Sequence, residues 1–579
     1  MEGATDGGKN LLLFLFCLLL LLLTGSIAEG LSYDYSASIE CLVEPHRPQY
    51  EGGIIVNPEF NHGLRGWSIF GSAKIEQRVS EGGNSFIVAH SRKQPHDSIS
   101  QKFYLRKGNL YTLSAWIQVS QGKVPVRAVF KTKTGYKHAG AVITESGCWS
   151  MLKGGLTANS SGPAELYFES ENKTVDIWVD SVSLQPFTIE QWRAHQEQSI
   201  EKTRKRKVKF QAVDSSGKTL TGAQISIHLK KPSFPFGAAI AQTILHNPTY
   251  QKWFTSRFTV TTFENEMKWY STENSPGKEN YSVADAMLQF TRKNGIRVRG
   301  HNVFWDDPKY QPWWVPKLSY SQLNQAAWKR INSIMSRYKG QVIAWDVVNE
   351  NLHFSFFEDR LGRNASAAFY KKAHQLDDRA IMFLNEYNTI EDSRDGTSSP
   401  AKYIQKLKEI QSYAGGRIPL GIGLQGHFNT PDIAYMRSAL DTLAATKLPI
   451  WITELDVEGG PNQAKYLEEI LREAHSHPAI KGIVIWGAWP YPEQCRRMCL
   501  TDNNFKNLPT GNVVDKLIGE WTHASLAGLT DSNGYFETSL FHGDYVVTIT
   551  HPSMNSSLVQ SFKVTTPGVS QETMLDVKI

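Results

Sequence analysis

Hydrophobic and polar positions follow different periods in successive parts of the chain. Over residues 52–187 they alternate in short runs, such as Tyr111-Thr-Leu-Ser-Ala-Trp-Ile-Gln-Val119, separated by Gly, Asn and Ser turns. A period of two broken by turn signals predicts antiparallel strands and, over this length, one β-sandwich. Residues 188–205 are charged with few apolar positions and predict a linker helix. The stretch from Val208 to His228 reads as two strands joined by a Gly turn. Across 233–523, continuous apolar runs alternate with helical periodicity at the spacing of βα units. That pattern predicts an α/β fold, a (β/α)8 TIM barrel.

Several of those apolar runs end in polar clusters, among them Phe263-Glu-Asn-Glu-Met-Lys-Trp269, Trp345-Asp-Val-Val-Asn-Glu350, Met382-Phe-Leu-Asn-Glu-Tyr-Asn388 and Trp451-Ile-Thr-Glu454. An unbroken apolar run is the signature of a parallel strand buried on both faces, and its carboxyl end is where α/β folds build their sites. Glu350 and Glu454 close two such runs. Two carboxylic acids flanking a glycosidic bond are the minimum for glycoside hydrolysis, one kept protonated and the other ionised. The expectation is that the charge of Glu454 raises the pKa of Glu350. Asn349, directly before Glu350, is suited to hydrogen-bond a sugar 2-hydroxyl. His427, two residues beyond Gln425, is suited to hold Glu454 ionised through a charge-assisted bond.

Composition narrows the setting. At 579 residues the chain exceeds one core, and 41% hydrophobic with 20% charged residues describes a soluble globular protein. The net charge of +6 is dispersed apart from the basic run at 202–207, read as a solvated linker edge, which argues against nucleic acid as a partner. The apolar block at 11–23 is short for a membrane span and suits a signal peptide over residues 1–28, with no membrane attachment after cleavage. Asn-x-Ser/Thr sequons at Asn159, Asn172, Asn280, Asn364 and Asn555 suit an extracellular glycoprotein. With Cys17 lost to the signal, Cys495 and Cys499 are close enough in sequence to staple a loop, and Cys41 and Cys148 pair by default. No cofactor or metal is expected.

The chain from about 236 to 515 resembles glycoside hydrolase family 10, the retaining endo-β-1,4-xylanases, in its plant form. The motif at 345–350 makes Glu350 the implied proton donor and base, and Ile452-Thr-Glu-Leu-Asp456 makes Glu454 the implied nucleophile. In a retaining pair the carboxyls stand about 5–5.5 Å apart. The resemblance further implies substrate contacts from Glu264, Asn265, Lys268, His301, Trp305, Asn349, Tyr387, Gln425, His427 and Trp486, with Asn385 in the same motif as Tyr387. Asp306 and Gly426 depart from the family pattern at positions expected to shape sugar subsites. Residues 52–187 resemble carbohydrate-binding modules of family 22, with Glu165-Leu-Tyr-Phe-Glu169 and Tyr136 near that family's sugar-holding positions. Segments 206–232 and 524–579 resemble the first and later strands of small transthyretin-like sandwiches, so the barrel is expected to be inserted within one small β-sandwich. The implied protein is secreted to the cell wall, and its implied partner is xylan or a related β-1,4-linked polysaccharide. A transglycosylase using the same residues and a non-catalytic wall-binding protein are the competing readings.

Overall fold

The computed structural model describes residues 30–578 apart from 215, 417, 490–494, 496, 523–524, 555 and 567–573. The apolar block at 11–23 and Asn555 lie outside the described residues. Among the described residues no helix is long and apolar enough to cross a membrane.

The barrel strands are β1 (Phe236–Ala238), β2 (Val260–Thr262), β3 (Arg297–Trp305), β4 (Ala344–Asn349), β5 (Ile381–Glu386), β6 (Leu420–Leu424), β7 (Ile450–Val457) and β8 (Ile480–Ile485). Each pairs in parallel with its neighbour, β1 with β8 and β6 with β7, so the sheet closes on itself. Closure leaves no open edge, and both faces of every strand are covered. The barrel interior holds Val260, Ala344, Phe383, Trp451 and Val484 together with buried Arg299, whose guanidinium lies over the rings of Phe383 and Trp451.

Residues 41–187 form a sandwich of a six-stranded and a five-stranded antiparallel sheet. Cys41 is bonded to Cys148, and Cys495 to Cys499. The segments flanking the barrel come together as two further sheets. Lys205–Gln211 lies between Tyr535–Phe541 and Met574–Lys578, and Gln224–Pro232 lies between Ser525–Leu529 and Gly543–Thr550. Lys205–Gln211 and Gln224–Pro232 therefore belong to different sheets and do not form the hairpin that the intervening Gly suggests. Apolar side chains from both sheets, including Phe210, Ile225 and Val547, share one core, so each strand has more surface to bury across the sandwich than beside its sequence neighbour.

The basic run at 202–207 is only partly a solvated edge, with Lys202 and Lys207 exposed but Arg204 and Arg206 buried. Strand alternation turns Arg206, Val208 and Phe210 inward, and Arg204 is buried with its guanidinium donating to the carbonyls of His475, His477 and Ile480. The helix Ile189–Thr203 begins at a Thr188–Gln191 capping box, as its sequence allows, but it is docked rather than a free spacer. Its Trp192 and Gln196 side chains both donate to Glu473 of the barrel helix Gln463–Ser476.

The sandwich is likewise fixed to the barrel. Thr157 donates through its amide and its hydroxyl to Asp432, 2.9 Å each, at the start of the barrel helix Ile433–Ala444. A Cβ on Gly155 would lie 2.3 Å from the carbonyl oxygen of Ala434, so this close approach requires glycine. Lys153 Nζ reaches Asp441 at 2.8 Å with both side chains essentially out of solvent, and Asp441 also accepts from the Tyr33 hydroxyl at 2.7 Å. Truncating one partner of a buried ion pair strands the other charge. Lys153→Met is therefore expected to cost about 3–5 kcal/mol in a denaturant titration. A midpoint unchanged from the parent would show that this pair does not hold the two parts together.

Candidate active site

Glu350 and Glu454 stand at the carboxyl ends of β4 and β7 and line one cleft of about 730 Å³. Glu264, Asn265, Lys268, His301, Trp305, Asn349, Tyr387, Gln425, His427 and Trp486 line the same cleft. Of the expected site residues within the barrel, all are brought together.

Glu350 has a backbone φ of +60°, unusual for a side chain larger than glycine and held by its amide bond to the carbonyl of Asn385 and by Phe354 N–H on its own carbonyl. This twist directs the carboxyl into a grip of two donors: Trp305 Nε1 at 2.7 Å to one oxygen and Gln425 Nε2 at 3.0 Å to the other. Burial is the main force on its acidity and pushes the pKa up to about 7. The two hydrogen bonds oppose burial, and the charges of Glu386 and then Glu454 add to it. The expected cause, the charge of Glu454, is thus real but minor, because burial acts on the whole carboxyl.

Glu454 is buried as well, and burial alone would raise its pKa. The groups around it reverse that effect and hold it down at about 2: His301, then His427 and Lys268. His301 is aimed by a chain of contacts inside the barrel. Arg299 donates to Asp346 at 2.8 Å, the other Asp346 oxygen takes the Nδ1 proton of His301 at 2.8 Å, and Nε2 then stands 3.9 Å from Glu454 Oε1. A carboxylate can only accept, so Nδ1 carries a proton and the ring is held with its Nε2 edge toward Glu454. His427 lies 3.6 Å from Glu454 and 3.0 Å from Asp456; burial opposes its charge, but the two carboxylates push its pKa up to about 10, so it is a cation at neutral pH. Asn385 Nδ2 donates to Glu454 at 2.8 Å and to Asn349 Oδ1 at 2.9 Å, which leaves the Asn349 amide hydrogens as donors on a residue lining the cleft.

Aromatic surfaces complete the walls. Lys268 Nζ sits 4.6 Å from the Trp305 ring and 5.8 Å from that of Trp486, and Trp305 stacks on Tyr310 at 3.9 Å. Tyr387 stacks on His353 at 3.9 Å, and His353 is clamped between Glu386 and Asp395 at 2.7 and 2.8 Å. Burial works against charge on His353, but those carboxylates carry its pKa up to about 9.

Two expectations fail. Asp306 does not shape the cleft: it is fully buried and accepts from Asn351 Nδ2 at 2.6 Å and from the Phe357 amide at 3.0 Å, pinning the loop after β4. Gly426 serves the backbone, with φ +85° and its amide donating to half-buried Glu391; a Cβ there would press within 2.9 Å of Ile452. Asn385 entered the sequence reading only as part of the Tyr387 motif, with no role of its own, and Glu386, Asp346 and His353 had no expected role. Asn385-Glu386 repeats, on the next strand, the Asn-Glu doublet of 349–350 and was legible on that ground. His353 lies in a loop and carried no such signal.

In the sandwich, Glu165 accepts from Ser100 Oγ at 2.8 Å, Tyr167 stacks on Phe70 at 3.9 Å, and Tyr136 is exposed beside Tyr167. Asn159, Asn172, Asn280 and Asn364 are all exposed.

A closed parallel barrel with an acid and a shielded carboxylate at the ends of its fourth and seventh strands is the architecture of a glycoside hydrolase. The chain matches glycosyl hydrolase family 10 over residues 226–514 and a carbohydrate binding domain over 52–175, and it belongs to that hydrolase family. Among curated proteins it is 43% identical to endo-1,4-beta-xylanase 5 of Arabidopsis thaliana, over 96% of this chain and 97% of that one. It is 41% identical to endo-1,4-beta-xylanase 5-like of the same plant, over 98% of each. Among solved structures it is similar to the two-module CBM22-1–GH10 xylanase 10B of Clostridium thermocellum, at 17% identity and a TM-score of 0.42, covering 80% of this chain and 97% of that one.

Proposed function

We propose that the chain is a secreted endo-1,4-β-xylanase that cleaves internal xylosidic bonds of cell-wall xylan with retention of configuration. The observation that carries this reading is the opposed setting of two buried carboxyls in one cleft, Glu350 pushed up to about 7 and Glu454 held at about 2. Near pH 6 the first is an acid and the second an anion. Glu350 gives its proton to the glycosidic oxygen as Glu454 attacks the anomeric carbon, forming a glycosyl-enzyme ester and releasing the leaving chain. Glu350, now a carboxylate, takes a proton from water, which attacks the same carbon and frees Glu454. Asn349 is placed to donate to a sugar hydroxyl beside the reacting carbon. The exposed sequon asparagines and the apolar block at 11–23 support export and glycosylation. The test is the anomeric configuration of the first product released from xylan, read by proton NMR before mutarotation. The β-anomer is expected, and an initial α-anomer would exclude double displacement.

His353 acts here through its neighbours. As a cation below pH about 9 it screens Glu386, whose charge raises the pKa of Glu350. His353→Ala removes that screening, so Glu350 holds its proton more tightly. The alkaline limb of kcat/KM is expected to move to higher pH, and KM to rise as Tyr387 loses its stacking partner. An unmoved limb in the pH profile would show that Glu386 is not coupled to the acid.

A further inference from the structure

A second cavity, of about 400 Å³, lies where the sandwich meets the barrel. One wall is Thr134, Tyr136, Lys137 and His138 of the sandwich; the other is the barrel loops that follow β5 and β6. His427, the partner of Glu454, lines this cavity and the catalytic cleft alike, so the two adjoin on the β5–β6 side. The junction is rigid there, since Ser393 Oγ donates to the His138 carbonyl at 2.7 Å and Thr157 is tied to Asp432.

The charges around this cavity are unevenly committed. Glu391 accepts from the amides of Gly426 and His427, Asp392 is held by Arg394 at 2.7 Å, and Asp432 accepts from Thr157 and the Tyr435 amide. Every carboxylate in the wall is therefore satisfied within the protein, and Arg394 is spent on Asp392. Half-buried Lys137 has no carboxylate within ion-pair distance among the described residues. Beside it, His138 Nδ1 is buried without a hydrogen-bond partner. A polar recess with one uncommitted cation and an unmet hydrogen-bonding group suits an anion carried on a polar scaffold.

We propose that this junction is a distal subsite of the cleft, in which Lys137 pairs with the carboxylate of an acidic sugar branch on a polysaccharide leaving the catalytic centre past His427. The sandwich is then part of the substrate track as well as a separate binding module. The proposal rests on the hydrolase reading above.

The test compares the parent, Lys137→Gln and Lys137→Arg on a glucuronate-bearing xylan, on the same polymer after carboxyl reduction, and on linear xylo-oligosaccharides. N-linked glycans are removed first, because Asn159 lines the same cavity. Lys137→Gln is expected to raise KM on the acidic polymer about three- to five-fold, the size of one partly screened ion pair, with kcat unchanged. Lys137→Arg should restore the parent value, and all three proteins should act alike on the reduced polymer and the oligosaccharides. Equal losses on the acidic and reduced polymers, or no loss on either, would overturn the subsite while leaving the hydrolase reading intact. A parent protein inert on every substrate would overturn both.

Discussion

Replacing Glu454 by alanine is expected to lower kcat on xylan by on the order of 10⁵-fold or more while leaving the protein folded, because on the proposed double-displacement reading it removes the covalent nucleophile and with it the whole route. The reason lies in how heavily the structure works to keep this one carboxylate ionised. It is buried, which favours the neutral acid, yet His301, His427 and Lys268 together hold its pKa at about 2. His301 is in turn oriented by Asp346, and Asp346 is held by Arg299, so a fixed line of charge runs up the barrel to this oxygen pair. Such preorganised charge keeps the carboxylate ionised before attack and stabilises it again as the leaving group of the second step. The decisive measurement uses an aryl β-xyloside, whose leaving group needs little protonation, with added azide. Azide filling the space left by the carboxylate attacks from the same face, so the product is expected to be the α-xylosyl azide. Parent-level release of reducing ends by the Glu454→Ala protein would reject the assignment. Correct folding is checked by an unchanged circular dichroism spectrum.

The barrel and the carboxyls that line its cleft were legible because they follow from local pattern. Buried parallel strands must be apolar throughout, so a carboxylate that ends such a run is conspicuous, and Glu350 and Glu454 were found in that way. Contacts between distant segments had no local trace. The run at 202–207 reads as solvated because charge usually means water, but the carbonyls of His475, His477 and Ile480 take Arg204 inside and strand alternation buries Arg206. The helix at 189–203 has few apolar residues, yet it is docked through Trp192 and Gln196 on Glu473, a polar contact that hydrophobic periodicity does not register. Asp306 shows the opposite error: a departure from a familiar pattern was assigned to substrate choice, whereas its carboxyl anchors the loop after β4. His353 and the junction around Lys137 depend on which loops fold together, and only the assembled structure brings them to the site.

Glu350→Ala should give the second large effect, a fall of about 10²–10⁴-fold in kcat/KM on xylan, the usual worth of a positioned general acid. Its dependence on pH follows from the direction of each shift. The parent needs Glu454 ionised, which holds at all pH values well above about 2, and Glu350 protonated, which holds below about 7. The rate should therefore be level through the mildly acidic range, then fall tenfold per pH unit above about 7, because kcat/KM reports the free enzyme. In Glu350→Ala that alkaline limb should vanish, since no group remains whose deprotonation stops the reaction. The loss should also be much smaller on an aryl xyloside than on xylan, and azide should now yield the β-xylosyl azide, the nucleophile Glu454 being intact. The grip on Glu350 supplies a finer check. Trp305 and Gln425 donate to its ionised form and so hold its pKa below what burial alone would give. Gln425→Leu should accordingly shift the alkaline limb upward, toward the value set by burial. A limb that moved down, or a Glu350→Ala protein that kept the parent profile at reduced rate, would mean that another group supplies the proton.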